Sequence, residues 1–186
     1  MHASQSYEVT VVGGGLGGLT AALALRDKGL RVTVLEQAPQ LGEVGAGIQT
    51  APNASRVLTG LGLRKQLEAI HTEPLDQVRR RWQDGSVVGL TSLGEHCKRT
   101  YNAPYWHYHR ADLHKVVEVG TELRHRPAVL TESGHRYESD VVIGADGIRS
   151  AVRELLGMAD TLEFSGEMAY RVLIPGDKIA ADPATR

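Results

Sequence analysis

Three glycines at the spacing Gly13, Gly15 and Gly18, with an acid at Glu36, form the pattern in this chain best suited to chemistry. A glycine at position 13 permits a tight turn. One at position 15 has no side chain, so a phosphate can approach the backbone, and one at position 18 lets a helix pack close to a strand. A helix starting at such a turn presents unpaired N–H groups and a partial positive charge to an anion. Glu36, eighteen positions beyond Gly18, is placed to accept hydrogen bonds from ribose hydroxyls. An acid there favours a free diol and repels a 2′-phosphate. The pattern predicts dinucleotide binding.

The elements that must hold these residues are legible around them. Val9 to Val12 is a short apolar run, as expected for a strand buried on both faces of a parallel sheet. Leu16, Leu19 and Leu23 recur at helical steps and give the following helix one face for the sheet. Lys28-Gly29 ends that helix, with a cation in the last turn and a glycine for the left-handed residue. Val32 to Leu35 supplies the second strand, with Glu36 at its end. The rival reading is a membrane helix, since Val9 to Leu25 is nearly uncharged and Gly14 and Gly18 have small-residue spacing. Five glycines between positions 13 and 18 would make a poor isolated helix, and strand chemistry precedes them.

A second strand-to-helix turn lies at Asp140-Val-Val-Ile-Gly-Ala-Asp146-Gly147. Its strand reads as fully buried, and the turn places Asp146 at the carboxyl end of the sheet, beside the first glycine turn. Ser150 reads as the cap of a helix running to Leu156 rather than as a nucleophile, because no G-x-S-x-G turn surrounds it. His107, His109, Asp112 and His114 invite a metal reading. Metal ligands must converge on one point, however, while Asp112 and His114 start a helix facing elsewhere, so no metal is expected. Arg79, Arg80 and Arg81 alternate faces on a strand and read as solvated charges, not as a nucleic-acid surface.

Between these motifs the chain is ordinary. Gln37 to Gly47 reads as a glycine-rich loop, of the kind that approaches a ligand. Pro52-Asn53 opens a helical stretch to Ile70, bent at Gly60-Leu61-Gly62. Gln77 to Trp82 and Ser86 to Leu90 read as a hairpin around Asp84-Gly85. Thr121 to Tyr137 reads as another hairpin, Met168 to Ile174 as a last strand, and the remainder as polar and unstructured. With 21 basic and 22 acidic residues the net charge is −1, which argues against nucleic-acid or membrane-surface binding. The single cysteine, Cys97, excludes an internal disulfide, and the first residues lack a secretion signal, so the expected location is cytoplasmic.

Taken together, these motifs resemble the FAD-dependent aromatic hydroxylases, the single-component flavoprotein monooxygenases of the salicylate and hydroxybenzoate hydroxylase type. Four stretches carry the resemblance in family order: V-V-G-G-G-L-G-G with Glu36, G-A-G-I-Q-T-A-P-N from Gly45, H-R-A-D-L-H from His109, and D-V-V-I-G-A-D-G-I-R-S-A-V-R from Asp140. The resemblance implies an α/β fold: a Rossmann-like FAD-binding domain with a parallel sheet, over 1–73 and 105–165, plus part of a mixed β-sheet substrate domain, over 74–104 and 166–186. It implies FAD contacts from Gly13, Gly15, Leu16, Gly18, Glu36 and Gln37. Gly45, Ala46 and Gly47 would lie along the isoalloxazine, and Arg110 and Asp146 would reach the phosphate and ribityl region. Tyr170 and Arg171 would line the substrate pocket and serve catalysis.

The implied reaction uses NADH or NADPH and oxygen to hydroxylate a small aromatic substrate through a flavin hydroperoxide. The protein positions the ring, keeps it electron-rich and excludes water. No nucleic-acid or membrane partner is implied, and a homodimer is left open. Two departures stand out. Gly176-Asp177 continues as Lys-Ile-Ala and does not reproduce the family's second flavin fingerprint, and roughly 20 residues are missing after Val119. The resemblance therefore implies a chain carrying only part of the family's length. Two other readings share the same fold: an NAD-dependent oxidoreductase, against which the Asp140 to Arg153 motif speaks, and a non-catalytic nucleotide-binding fragment.

Overall fold

The structure is a computed structural model that describes residues 7–38, 47–118, 138–158, 161–168 and 174–181. Its centre is a parallel unit of β1 (Glu8–Val12), α1 (Leu16–Asp27) and β2 (Arg31–Leu35). Strands β1 and β2 pair in register from Glu8↔Arg31 to Val12↔Leu35. The burial that the apolar runs predict is present: Val9, Val11, Val12, Val34 and Leu35 are all buried. Helix α1 ends where Lys28-Gly29 requires, with Gly29 at φ +81° and its N–H donated to the Arg26 carbonyl at 2.9 Å.

On the other side of β1 runs β7 (Val141–Gly144), also parallel, giving the strand order β2-β1-β7. The chain leaves β1 toward β2 on one flank and returns to β7 on the other. The strand order therefore reverses between β1 and β7, the place where open α/β sheets form ligand crevices. One expectation needs correction here. β7 is not fully buried: Val141 is 46% exposed and Val142 51%. It is the edge strand of the described sheet, and an apolar sequence by itself cannot say whether a strand has neighbours on both sides.

Below this sheet the chain forms β3 (Gly47–Thr50), α2 (Pro52–Leu58), a kinked turn at Thr59–Leu63 and α3 (Arg64–Glu68). Gly62, at φ +82°, makes the predicted bend. A hairpin follows, β4 (Asp76–Arg80) and β5 (Val87–Ser92), turning at the expected Asp84-Gly85. Next come α4 (Gly94–Tyr101), β6 (Trp106–His109) and α5 (Arg110–Glu118). The core joins β1 and α1 to α5, α3 and β6 through Leu19, Ala22, Leu67, Trp106, Leu113 and Val117. Each fully buried leucine among them contributes about 2 kcal/mol.

Three elements depart from the sequence reading. β3 begins on the last residue of the expected loop and continues through residues with no expected element, pairing antiparallel with β6 from Gly47↔His109 to Thr50↔Trp106. Four residues after a glycine-rich segment carry no strand pattern of their own, and the distant partner makes the strand. Helix α4 has no sequence signature: its N-cap is Leu93, without a side-chain cap, and Gly94 and Cys97 are its buried residues. It is fixed from outside, by Lys98 paired with Glu73 at 2.8 Å and by the Gly94 N–H on the Pro74 carbonyl. The end of the chain was expected to be unstructured, but α7 (Gly176–Ala181) forms there, after the short α6 (Ala151–Leu155). The expected hairpin at 121–137 and nearly all of the expected strand at 168–174 lie outside the described residues.

Candidate functional site

The first glycine turn and the second strand-to-helix turn are built against one another. The Gly13 N–H donates to the Leu35 carbonyl at 2.8 Å, and the Ala145 N–H donates to the Val12 carbonyl at 2.7 Å. Both ladders thus continue one residue past the strand ends, and the two turns emerge side by side. Gly13 has φ +112°, and a Cβ there would stand 2.3 Å from the Ala145 carbonyl oxygen. A Cβ at Gly18 would stand 2.0 Å from the Gly13 carbonyl oxygen and 3.3 Å from Ala145 Cβ. Hydrogen in place of a methyl at these two positions lets α1, the glycine turn and the Ala145-Asp146 backbone touch.

Between the turns lies a cleft of about 340 Å³, lined by Gly13, Gly15, Glu36, Gln37, Asp146 and Arg149 among others. Glu36 stands at the carboxyl end of β2 and reaches back to the turn. Its Oε2 accepts the Gly14 N–H at 2.6 Å, and its Oε1 accepts the Ala38 N–H at 2.8 Å. A carboxylate offers about four lone-pair sites, so two remain for a diol.

Asp146 is engaged differently. Its Oδ1 accepts the Ser150 hydroxyl at 2.5 Å and its Oδ2 the Val152 N–H at 3.1 Å. Ser150 Oγ in turn accepts the Arg153 N–H at 3.0 Å, the cap expected of it. Partial burial pushes the Asp146 carboxyl up. The hydrogen bonds from Ser150, Val152 and Ala151 outweigh that and hold it below the usual carboxylate range.

A family model described as an FAD binding domain matches residues 6–174. The chain belongs to this FAD binding domain family. It is 40% identical, over 94% of its length, to a 3-amino-4-hydroxybenzoate 2-monooxygenase of Streptomyces cremeus, of which it covers 48%. It is 34% identical, over 96% of its length, to a 6-hydroxynicotinate 3-monooxygenase of Pseudomonas fluorescens, of which it covers 50%. Among solved structures, the tetrameric form of 2-methyl-3-hydroxypyridine-5-carboxylic acid oxygenase superposes with a TM-score of 0.67 at 29% identity, over 83% of this chain and 43% of that one. The chain thus spans about half the length of the relatives it matches.

The cleft fits the phosphate end of FAD. Gly15 is the N-cap of α1 with no side-chain cap, so the first N–H groups of a 12-residue helix are left to a ligand. A Cβ at Gly15 would meet nothing within 4 Å, so the space a phosphate needs is present. Of the residues expected to contact FAD, Gly13, Gly15, Glu36, Gln37 and Asp146 line this cleft together. Leu16 opens α1 beside it, and Gly18 packs behind Gly13. Arg110 opens α5 directly after β6, and Gly47 opens β3 opposite His109. Neither is among the cleft-lining residues. Gly45, Ala46, Tyr170 and Arg171 lie outside the described residues.

The histidines have separate surroundings. His107 pairs through its backbone with Thr72 and is held toward the neutral form by burial. His109 Nδ1 lies 3.7 Å from Asp112, while His114 points at the glycine turn. Among the described residues no group of three or more histidines, cysteines or acids is placed to hold a metal ion. No described helix is long and apolar enough to cross a membrane.

Sequence reasoning passed over two residues. Arg149 lines the cleft and adds a cation to it. Its place in the Asp-Gly-Ile-Arg run is visible in the sequence, but nothing local ties it to the cleft. The sequence offers His114 as a metal ligand and as the end of the H-R-A-D-L-H stretch, while its contact in the structure is the Gly14 carbonyl, 100 positions away.

Proposed function

We propose that this chain forms the FAD-cradling part of a monooxygenase that hydroxylates a phenolic or aromatic carboxylic acid, with NADH or NADPH as electron donor and oxygen as co-substrate. The observation that carries the reading is the joining of the glycine turn, Glu36 and the Asp146-Gly147 turn around one cleft. The names of several relatives, which act on hydroxybenzoates or hydroxynicotinate, support the substrate class.

In this reading the Gly15 N–H and the amino end of α1 hold the pyrophosphate, and Glu36 takes the ribose hydroxyls on its two remaining lone-pair sites. Ser150 and Val152 fix Asp146, so that its turn forms one firm wall of the cleft. Arg149 would offset the negative charge of the phosphates, and the family resemblance would bring Arg110 to the phosphate and ribityl region and Gly45, Ala46 and Gly47 to the isoalloxazine. By the same resemblance, Tyr170 and Arg171 would line the substrate pocket. Bound FAD supplies the redox chemistry, passing electrons from the nicotinamide to oxygen so that one oxygen atom enters the ring and the other leaves as water.

A fluorescence titration with FAD tests the cofactor site. Glu36→Ala should weaken binding by roughly ten- to hundredfold, as expected for a charge-assisted hydrogen bond worth about 1.5–3 kcal/mol. Unchanged affinity sinks the ribose assignment. A panel of hydroxybenzoates with NADH or NADPH, followed for product and hydrogen peroxide together, tests the reaction. A second reading is cofactor binding without turnover by the chain on its own. FAD binding with no oxidation of the nicotinamide would select it.

A further inference from the structure

We propose that His114 sets the phosphate cradle, holding the Gly14–Gly15 peptide so that the Gly15 N–H faces the cleft. His114 sits on α5, 100 positions from the glycine turn, and is only 5% exposed. Its Nε2 stands 2.9 Å from the Gly14 carbonyl oxygen. A carbonyl can only accept, so Nε2 carries the proton and His114 donates. In the neutral ring Nδ1, 4.0 Å from the Glu118 carboxylate, is then the bare nitrogen.

The consequence falls on the next residue. The peptide bonds described are all trans, and in a trans peptide the carbonyl and the N–H point in opposite directions. Holding the Gly14 carbonyl toward α5 turns the Gly15 N–H away from α5. Among the described residues that N–H has no hydrogen-bond partner. Gly15 lines the cleft, with open space where its Cβ would be.

The Gly14 N–H is fixed independently by Glu36 Oε2 at 2.6 Å. Two side chains from two elements therefore fix both polar groups of a glycine, which loses more conformational freedom on ordering than any other residue. A ligand meeting a pre-ordered N–H does not have to order it, and binds more tightly for that reason. The inference rests on the FAD reading above and assigns His114 to that site as a positioning residue.

The test titrates the chain with FAD and with ADP, which shares the pyrophosphate, for wild type, His114→Met and His114→Gln. Methionine fills the volume and donates nothing, whereas glutamine returns an amide N–H near the position of Nε2. His114→Met should weaken FAD and ADP by the same factor, about tenfold for one hydrogen bond, and His114→Gln should recover most of it. Equal affinity of wild type and His114→Met overturns the positioning role and leaves the FAD reading standing. A loss that glutamine does not restore makes His114 a packing residue and also overturns it. A wild-type chain binding neither ligand overturns the FAD reading and this inference with it. Nitrogen NMR of the wild-type imidazole needs no substitution: the proton is expected on Nε2, and a proton on Nδ1 alone refutes the contact.

Discussion

The two strand-to-helix turns of the cleft are built from similar parts and finished in opposite ways. At the second, Ser150 and Asp146 close the start of α6: Ser150 takes the Arg153 N–H and Asp146 takes the Val152 N–H. At the first, the N-cap of α1 is Gly15, and no side chain takes the N–H groups behind it. One turn satisfies itself and the other keeps its donors open. The difference fits the proposed roles, the open turn as cradle and the closed one as wall. Leaving donors open costs stability, so it is expected where a ligand completes them.

The largest effect should come from disturbing the contact between the turns. Gly13→Ala sets a methyl against the Ala145 carbonyl and forces an L-residue to φ +112°. Overpacking and backbone strain together should cost about 3 kcal/mol, read as a lower midpoint in denaturant at constant slope. A loss below about 1 kcal/mol would show that the turns separate easily, contrary to this structure.

Gly15→Ala sharpens the contrast two residues away. The new methyl meets no protein atom within 4 Å, so stability should stay within about 0.5 kcal/mol. FAD affinity should nevertheless fall by about tenfold or more, since the methyl occupies the space a phosphate needs. Equal FAD affinity would move the phosphate elsewhere.

Asp146→Asn probes the self-satisfied turn. Replacing the charged acceptor should cost about 1 kcal/mol at neutral pH while FAD affinity changes less than about threefold. The sign of the pH dependence follows from the depressed carboxyl. The unfolded chain takes up a proton near the ordinary aspartate value of 3.8, before the folded chain does. The wild-type advantage should therefore be constant above that value and shrink as pH falls through the lower folded value. An advantage that persists unchanged at the acid end would show that the carboxylate does not cap α6.

The smallest effect should lie far from both turns. Leu90 on β5 is exposed, as is most of the hairpin, so Leu90→Ala should change stability by no more than about 0.5 kcal/mol. A loss above 1.5 kcal/mol in thermal unfolding would show that the hairpin packs against something this structure does not place on it.

Much of the cleft was legible because its signals are local. The β1-α1-β2 unit, Glu36 at its end, the Ser150 cap and the Asp84-Gly85 turn each follow from a few neighbouring residues. Periodicity, turn geometry and capping decide those within one or two helical turns of chain. The rest depended on partners that only folding supplies. β3 exists because β6 pairs with it, α4 because Glu73 and Pro74 hold it, and β7 is half exposed because it ends the described sheet. The sequence by itself determined that the glycine turn would be tight and closely packed against its helix, since the constraint lies in the absence of side chains at Gly13, Gly15 and Gly18. Only the tertiary structure decided that Asp146 would turn into its own helix and that His114 would reach the Gly14 carbonyl. Such contacts depend on how far apart two backbones come to rest, and that distance is set by the packing of α1 between β1 and α5 rather than by any residue alone.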